Sequence, residues 1–342
     1  MKTTTRTCGA LLLIAAIALV AAQGAGCSSE EAPARSSLQP DTQDASNDAP
    51  AMRSTGLPQV CNRGERVTTA PATCNGASEL CDRTYDRVAV PMTHNAYSLV
   101  SGGFSPPNQT QGIARQLEDG VRGMMLDTAY FDPLAGADRT ERIADLSLPD
   151  QMFLCHGFCT IARTRLLDEL CTITRFLDAH PGEVFSIIFE NRVADADTDA
   201  ILRASGLTDY VYTHESSAPW PKLRDMIASG KRLVVFLEQG GGSPAYLHPA
   251  WANVWDTSYT FLNASQFSCT LNRGATSHPL YLVNHWLSPP KPENAAQVNV
   301  ASVLGNRVEQ CTREAGRVPT FVGVDYYDVG DLFAVVRKAN GL

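Results

Sequence analysis

The sequence predicts an α/β barrel of the TIM type, irregular and held by disulfides. Three observations carry that expectation. Apolar runs of strand length alternate with amphipathic segments of helix length, in βαβα order. The runs are apolar throughout, as in a parallel sheet covered by helices. Each run ends in an ionisable residue or stops just before one.

The first run, "RVAVPMT" (87–93), is followed by an amphipathic segment at 111–120. "VRGMMLD" (121–127) leads through a long polar loop to "MFLCH" (152–156), read as the third strand. The clearest helix spans Thr164 to His180, where Leu166, Leu167, Leu170, Ile173, Phe176 and Leu177 share one face and Pro181-Gly182 ends it. "EVFSIIFE" (183–190) precedes helices near 196–206 and 220–229, and "RLVVFLE" (232–238) comes next. After a Gly-rich, irregular region follow "PLYLVNHW" (279–286), a helix near 294–315, "PTFVGVD" (319–325) and a last helix from Asp331 to Asn340. Seven strands are visible, where a barrel takes about eight. The eighth is expected to be short or irregular, near "YVYT" (210–213). Residues 58–342 show no linker and no internal repeat, which favours one barrel over two small domains.

Residues 1–26 read as an export signal. Lys2 and Arg6 precede an apolar core (10–22) too short to span a membrane. Cys27, followed by two serines, looks like the acylated cysteine of a bacterial lipoprotein; plain secretion is the alternative. Residues 27–57 are Ser, Ala, Pro, Asp and Glu with almost nothing to bury, which reads as a flexible tether. The expected location is the cell envelope, anchored to a membrane surface by lipid, or the outside of the cell. Cysteine usage agrees. Of ten Cys, setting aside Cys8 and Cys27 leaves an even set in an exported chain, hence disulfides. Proximity suggests Cys155–Cys159 and a bridge within 61–81, and sequence alone cannot fix the pairings. The formal charge of −8 becomes about −10 without Lys2 and Arg6. That balance excludes a nucleic-acid partner and docking on anionic lipid by bulk charge. A monomer is expected.

The strand ends are His94, Asp127, His156, Glu190, Glu238, His285 and Asp325, and in a parallel barrel all would lie on one rim, where such enzymes place their sites. A single polar residue at a strand end is often only a helix cap. Seven together, with three of the chain's seven His, point to a site. Two His from different strands suit general base and general acid work, because imidazole titrates near neutrality. No GxGxxG follows the first strand and no GxSxG is present; "GGGS" (240–243) could bind phosphate, but a Gly-rich loop alone is more often just a turn.

"THNAYS", "QLEDGVRGMMLD", "LCHG" and "HPGEVFSIIFEN" occur in that order, with "CNGASELCDRTYDRVAVPMTHNAYS" at the start and "FVGVDYYDVGDLFAVV" at the end. Over residues 61–340 this resembles the X-type catalytic domain of phosphatidylinositol-specific phospholipase C. It resembles more closely the exported, cysteine-containing phosphodiesterases of bacteria and fungi. The resemblance implies an irregular TIM-type barrel that cleaves a phospholipid phosphodiester through a cyclic phosphate. It makes His94 the histidine that activates the attacking hydroxyl and His156 the acid that protonates the leaving oxygen. Asp325 resembles an aspartate that, in the metal-independent members, orients the first histidine; the alternative is a buried Asp that caps the helix that follows. The metal-dependent members place Ca²⁺ on positions that match Asn95, Asp127 and Glu190, with Met125 standing where a further acid belongs. Three oxygen ligands leave a Ca²⁺ to complete its six to eight with waters and substrate phosphate. The alternative is that Asp127 and Glu190 only orient the histidines. Glu238, Asn284, His285 and Arg192 are candidates for substrate contact, and Trp251, Trp255 and Trp286 for membrane contact. Three rival readings share the pattern: a sphingomyelinase D-like phospholipase, a glycosidase using Glu190 and a later acid, and an inactive tethered binding protein.

Overall fold

A computed structural model of the chain describes residues 60–216 and 218–342. The leader, Cys27 and the tether lie outside the described residues. Eight strands run parallel: β1 (Val90–Thr93), β2 (Gly123–Asp132), β3 (Phe185–Asn191), β4 (Leu233–Leu237), β5 (Leu247–Pro249), β6 (Val254–Thr257), β7 (Leu280–His285) and β8 (Phe321–Val324). Their order across the sheet is β6-β7-β8-β1-β2-β3-β4-β5, which is the cyclic order of a TIM-type barrel left open between β5 and β6. Only a one-turn helix, Ala250–Asn253, joins β5 to β6.

Period-two alternation sorts each strand's residues into two cores. Met92, Met125, Ile188, Phe236, Leu282 and Phe321 pack together inside the curl. Met124, Ile187, Val235 and Val322 face outward and pack on helices. The covering helices include α1 (Ile113–Asp119), α2 (Leu166–Ala179), α3 (Asp195–Ser205), α4 (Leu223–Ala228), α5 (Pro292–Val298), α6 (Asn306–Ala315) and α7 (Leu332–Ala339). The apolar face predicted for α2 is the buried one. No described helix is long and apolar enough to cross a membrane.

Three expectations are corrected. The run at 152–156 is not a barrel strand: Met152–Leu154 pairs antiparallel with the far end of β2. Residues 210–213 contribute a single bridge, Val211 to Leu233, and no strand. The strands missed were β5 and β6, three and four residues long, inside the Gly-rich region. Four disulfides form: Cys155–Cys159 and Cys74–Cys81 as proximity suggested, with Cys61–Cys171 and Cys269–Cys311 across long separations.

Candidate active site

The same alternation that fills the interior builds the site. Two residues beyond Met92, Met125, Ile188, Phe236, Val254 and Leu282, the inward positions are His94, Asp127, Glu190, Glu238, Asp256 and Asn284. His94, Asp127, Glu190, Glu238 and Asn284 line one cleft with Met125, Tyr259, Arg273 and Trp286. Six of the sequence-predicted residues thus converge: these five and Asp325, which bonds His94.

His94 is tightly positioned. Its N–H donates to the Val324 carbonyl at 3.0 Å, which ties the end of β1 to β8. Its ring stacks on Trp286 with centroids 4.0 Å apart. Its Nδ1 lies 2.9 Å from Asp325 Oδ1, an arrangement that fixes the tautomer and leaves Nε2 to exchange protons. Asn108 also donates to Asp325 Oδ1, at 2.9 Å, and Gln109 donates to the His94 carbonyl at 2.8 Å. Burial works to lower the pKa of His94, but the Asp325, Asp127 and Glu190 carboxylates outweigh it and the net shift is upward.

Asn95 has a backbone role that its sequence context did not suggest. It holds φ at 44°, in the left-handed region that Asn tolerates better than most residues. Its amide donates to Asn108 Oδ1 at 3.3 Å.

Asp127 and Glu190 are register partners on β2 and β3. Asp127 is 5% exposed, and among the described residues no Lys or Arg forms an ion pair with it; Arg192 bonds Glu190 instead, at 2.7 Å. Burial, then the neighbouring Glu190, pushes the Asp127 pKa up to about 7. An unpaired buried carboxylate beside a second one is a donor set that fits a hard divalent cation, held with waters and substrate phosphate. Met125 adds no ligand. Its methyl instead packs where a Cβ on Gly323 would meet it at 3.2 Å. No three His, Cys, Asp or Glu side chains among the described residues cluster closely enough to hold a metal ion unaided.

Glu238 and Asp256 flank a guanidinium that sequence reasoning missed. Arg273 donates to Asp256 Oδ2 at 2.6 Å and to Glu238 Oε2 at 2.8 Å. Its guanidinium carbon lies 3.8 Å from the Trp251 ring centroid and 4.9 Å from that of Tyr259. Burial raises the Glu238 pKa to about 7, although Arg273 opposes the shift. Asn284 donates to Asp256 and to the Thr257 carbonyl, and its buried Oδ1 has no partner among the described residues.

His156 reaches the site by a different route. It sits in the ring closed by Cys155–Cys159, with Nδ1 3.0 Å from the Pro106 carbonyl. Burial lowers its pKa; the Pro106 carbonyl opposes this, and the His94 charge adds to it. Arg192 donates to Gly157 O at 2.8 Å as well as to Glu190, so it clasps the ring to the cleft edge.

His285 is a correction. It lies one residue past Asn284 and therefore faces away from the cleft. It is fully buried, with Nε2 donating to the Val298 carbonyl at 2.9 Å, and burial beside Arg307 drives its pKa down to about 3. Trp255 is also buried, stacked on Tyr281, and Trp286 packs on His94, so neither offers an exposed membrane contact.

The family model described as PI-PLC X matches residues 80–340. A curated relative, the PI-PLC X domain-containing protein 1 of the fungus Arthroderma benhamiae, is 28% identical over 293 residues, covering 79% of this chain and 90% of its own length. A second protein of that fungus, named as an uncharacterized secreted protein, is 27% identical over 330 residues, covering 87% of this chain and 69% of its own. Among solved structures, the phosphatidylinositol-specific phospholipase C of Listeria monocytogenes aligns at 17% identity with a TM-score of 0.45, covering 76% of this chain and 95% of that one. Since the family match takes in all eight strands and every cleft residue named above, this chain belongs to the PI-PLC X family.

Proposed function

We propose that the protein is a phosphodiesterase of the phospholipase C type, cleaving a phosphatidylinositol-like phosphodiester through a cyclic phosphate. The observation that carries this reading is the His94–Asp325 pair opening onto Asp127 and Glu190, with His156 on the rim above. His94 takes the proton of the attacking hydroxyl at Nε2. Asp325 stabilises the imidazolium that results. His156, with Nδ1–H spent on Pro106, donates from Nε2 to the leaving oxygen.

The charge balance argues for a divalent cation, Ca²⁺ in the first instance. Among the described residues, Asp127, Glu190, Glu238, Asp256 and Asp325 face only Arg192 and Arg273 as permanent cations. An anionic phosphodiester entering such a cleft is repelled. Asp127 and Glu190 would hold the ion, which supplies positive charge beside the phosphate oxygens when bound. Neutralising that pair also leaves Asp325 as the main carboxylate acting on His94, which lowers His94 toward the neutral form a general base requires. The bound phosphate, in turn, favours the protonated form of His156.

Export is supported by the leader and the four disulfides, and Cys27 is the proposed acyl site. The decisive experiment is a phosphorus NMR time course on phosphatidylinositol, with and without chelator. A cyclic phosphate signal abolished by chelator is expected. Unchanged lipid in calcium refutes the reading, and activity that survives both His94→Ala and His156→Ala assigns the chemistry elsewhere.

A further inference from the structure

We infer that Asn299 and Asp325 seat one buried water molecule behind the His94–Asp325 pair, and that Asn299 is thereby a positioning residue of the reaction. The role, though not the water, rests on the phosphodiesterase reading above, in which His94 is the general base.

Asp325 uses only one carboxylate oxygen on the cleft side. Its Oδ1 takes His94 Nδ1 and Asn108 Nδ2. Its Oδ2 is buried and, among the described residues, meets no donor. Asn299, just past α5, is buried too, and its Oδ1 likewise meets no donor among the described residues. The two residues line one small cavity of about 10 Å³, walled also by Trp286, Lys291, Ala295 and Val298. A cavity of that size takes a single water. Two acceptors, one of them charged, call for a donor with two hydrogens, and water satisfies both oxygens at once.

The Asn299 amide is locked in this orientation. Its Nδ2 donates to Asp325 O at 2.9 Å and to Tyr326 O at 3.4 Å. Flipping the amide would set its oxygen against those carbonyls, so Oδ1 is the fixed acceptor beside the carboxylate. Its backbone is held as firmly: the N–H donates to Ala295 O and the carbonyl accepts from the Asp331 N–H, both at 2.8 Å. Gly330, at φ 91°, packs so closely that a Cβ there would meet the Asn299 carbonyl at 2.7 Å. Only glycine allows that approach. Trp286 lines both this cavity and the cleft, with its ring stacked on His94. Trp286 therefore stands between the water and the substrate, and the water steadies the Asp325 carboxylate without meeting the reacting atoms. The competing occupant is the ammonium of Lys291, an exposed side chain on the cavity wall.

The test is a crystal structure of the protein as exported from its cell, at a resolution that orders water. One density peak within about 2.6–3.0 Å of both Asp325 Oδ2 and Asn299 Oδ1 is expected. The Lys291 ammonium seated there, a peak with the fuller oxygen shell of a metal cation, or no density at all overturns the proposal. In solution, Ala295→Val fills the seat and leaves every hydrogen bond named above in place. The carboxylate then has a buried oxygen without a donor, and it relieves that cost by turning, at the expense of the bond to His94 Nδ1. The His94 Nδ1–H proton resonance, read without substrate or calcium, should move upfield. The kcat on phosphatidylinositol should fall by roughly ten- to a hundredfold with KM within about twofold. Ala295→Ser, which leaves room for the water, should keep the parent's resonance and kcat. An unmoved resonance and kcat in Ala295→Val overturn the positioning role, and the parent crystal decides the water whatever that variant's stability. A protein that holds the water yet cleaves no phosphodiester would refute the phosphodiesterase reading and leave the water seat standing.

Discussion

Asp325→Asn isolates charge from geometry at the centre of the site. Asp325 Oδ1 receives both His94 Nδ1 and Asn108 Nδ2, while Oδ2 is buried without a partner among the described residues. An asparagine in the same rotamer keeps Oδ1 as acceptor and places its NH₂ where Oδ2 was. What disappears is the negative charge. A hydrogen bond to a charged group contributes about 1.5–3 kcal/mol, and one pKa unit corresponds to about 1.4 kcal/mol. The His94 pKa should therefore fall by roughly one to two units. Burial, which already works against the charged ring, is then opposed only by Asp127 and Glu190.

The sign follows from linkage. In the parent, the raised His94 pKa contributes stability that is full below the unfolded value of about 6.5 and is lost as pH rises through the folded pKa. Asp325→Asn should abolish that contribution, so the two proteins differ in stability at pH 5 and converge at pH 9. A general base works when deprotonated, so the acid limb of the kcat/KM profile should move to lower pH by the same one to two units. The plateau should drop by about 10²–10⁴, the usual worth of a general acid–base group. Heteronuclear NMR of the histidine rings in chelator gives the pKa directly, and the rate profile gives the limb. A His94 pKa within about 0.3 units of the parent, with an unmoved acid limb, would refute the assigned role of Asp325.

Two further outcomes follow from buried charges. Asp127, with a pKa raised to about 7 by burial and by Glu190, weakens the fold increasingly as pH climbs from about 4 to about 7. Asp127→Asn should stabilise the protein at pH 8 by on the order of 2–4 kcal/mol and leave pH 4 unchanged. Calcium should raise the urea midpoint of the parent but not of the variant, and equal responses would remove Asp127 from the cation site. Arg307 is 4% exposed and among the described residues meets no carboxylate; it donates to Asn284 O at 2.6 Å, Ser268 O at 2.9 Å and Thr257 Oγ1 at 3.2 Å. Arg307→Met keeps much of the volume but strands those acceptors, so denaturant unfolding should show a loss of roughly 1–3 kcal/mol, whereas a more stable variant would show that the cost of burying the cation dominates.

What was legible in the sequence was the inward row. A strand buried on both faces reads as a continuous apolar run, and its first polar residue announces the end where side chains can turn to solvent and substrate. That located His94, Asp127, Glu190, Glu238 and Asp325. The same double burial hides which face a residue takes, so Asn284 and His285 looked equivalent although only Asn284 enters the cleft. The run at 152–154 failed for a related reason: an apolar triplet does not state whether its partner is parallel or antiparallel. Asn108 and Gln109 lie in a polar loop, "PPNQTQ", that reads as solvent-exposed, yet both are fully buried and brace His94. Nothing local reveals such a brace, because its partners, His94, Val324 and Asp325, lie at the ends of β1 and β8.

Arg273 was hidden more deeply, and its position explains why the barrel is open. After β6 the chain folds back, and Leu271–Arg273 pairs antiparallel with β6, placing Leu271 opposite Thr257 and Arg273 opposite Asp256. This return strand takes the edge of β6 that β5 would need in a closed barrel. Backbone groups on that edge must find partners, and the hairpin satisfies them locally. The one-turn connection Ala250–Asn253 leaves β5, among the described residues, paired only to β4. The gain is chemical: the register that blocks closure brings a guanidinium into the cleft against Asp256 and Glu238. Without Arg273, Asp256, which is fully buried, would lose its cation, and Glu238 would lose the contact that opposes its neutralisation. The irregularity of the barrel and the charge balance of its cleft are thus one structural feature, set by a pairing between residues seventeen apart.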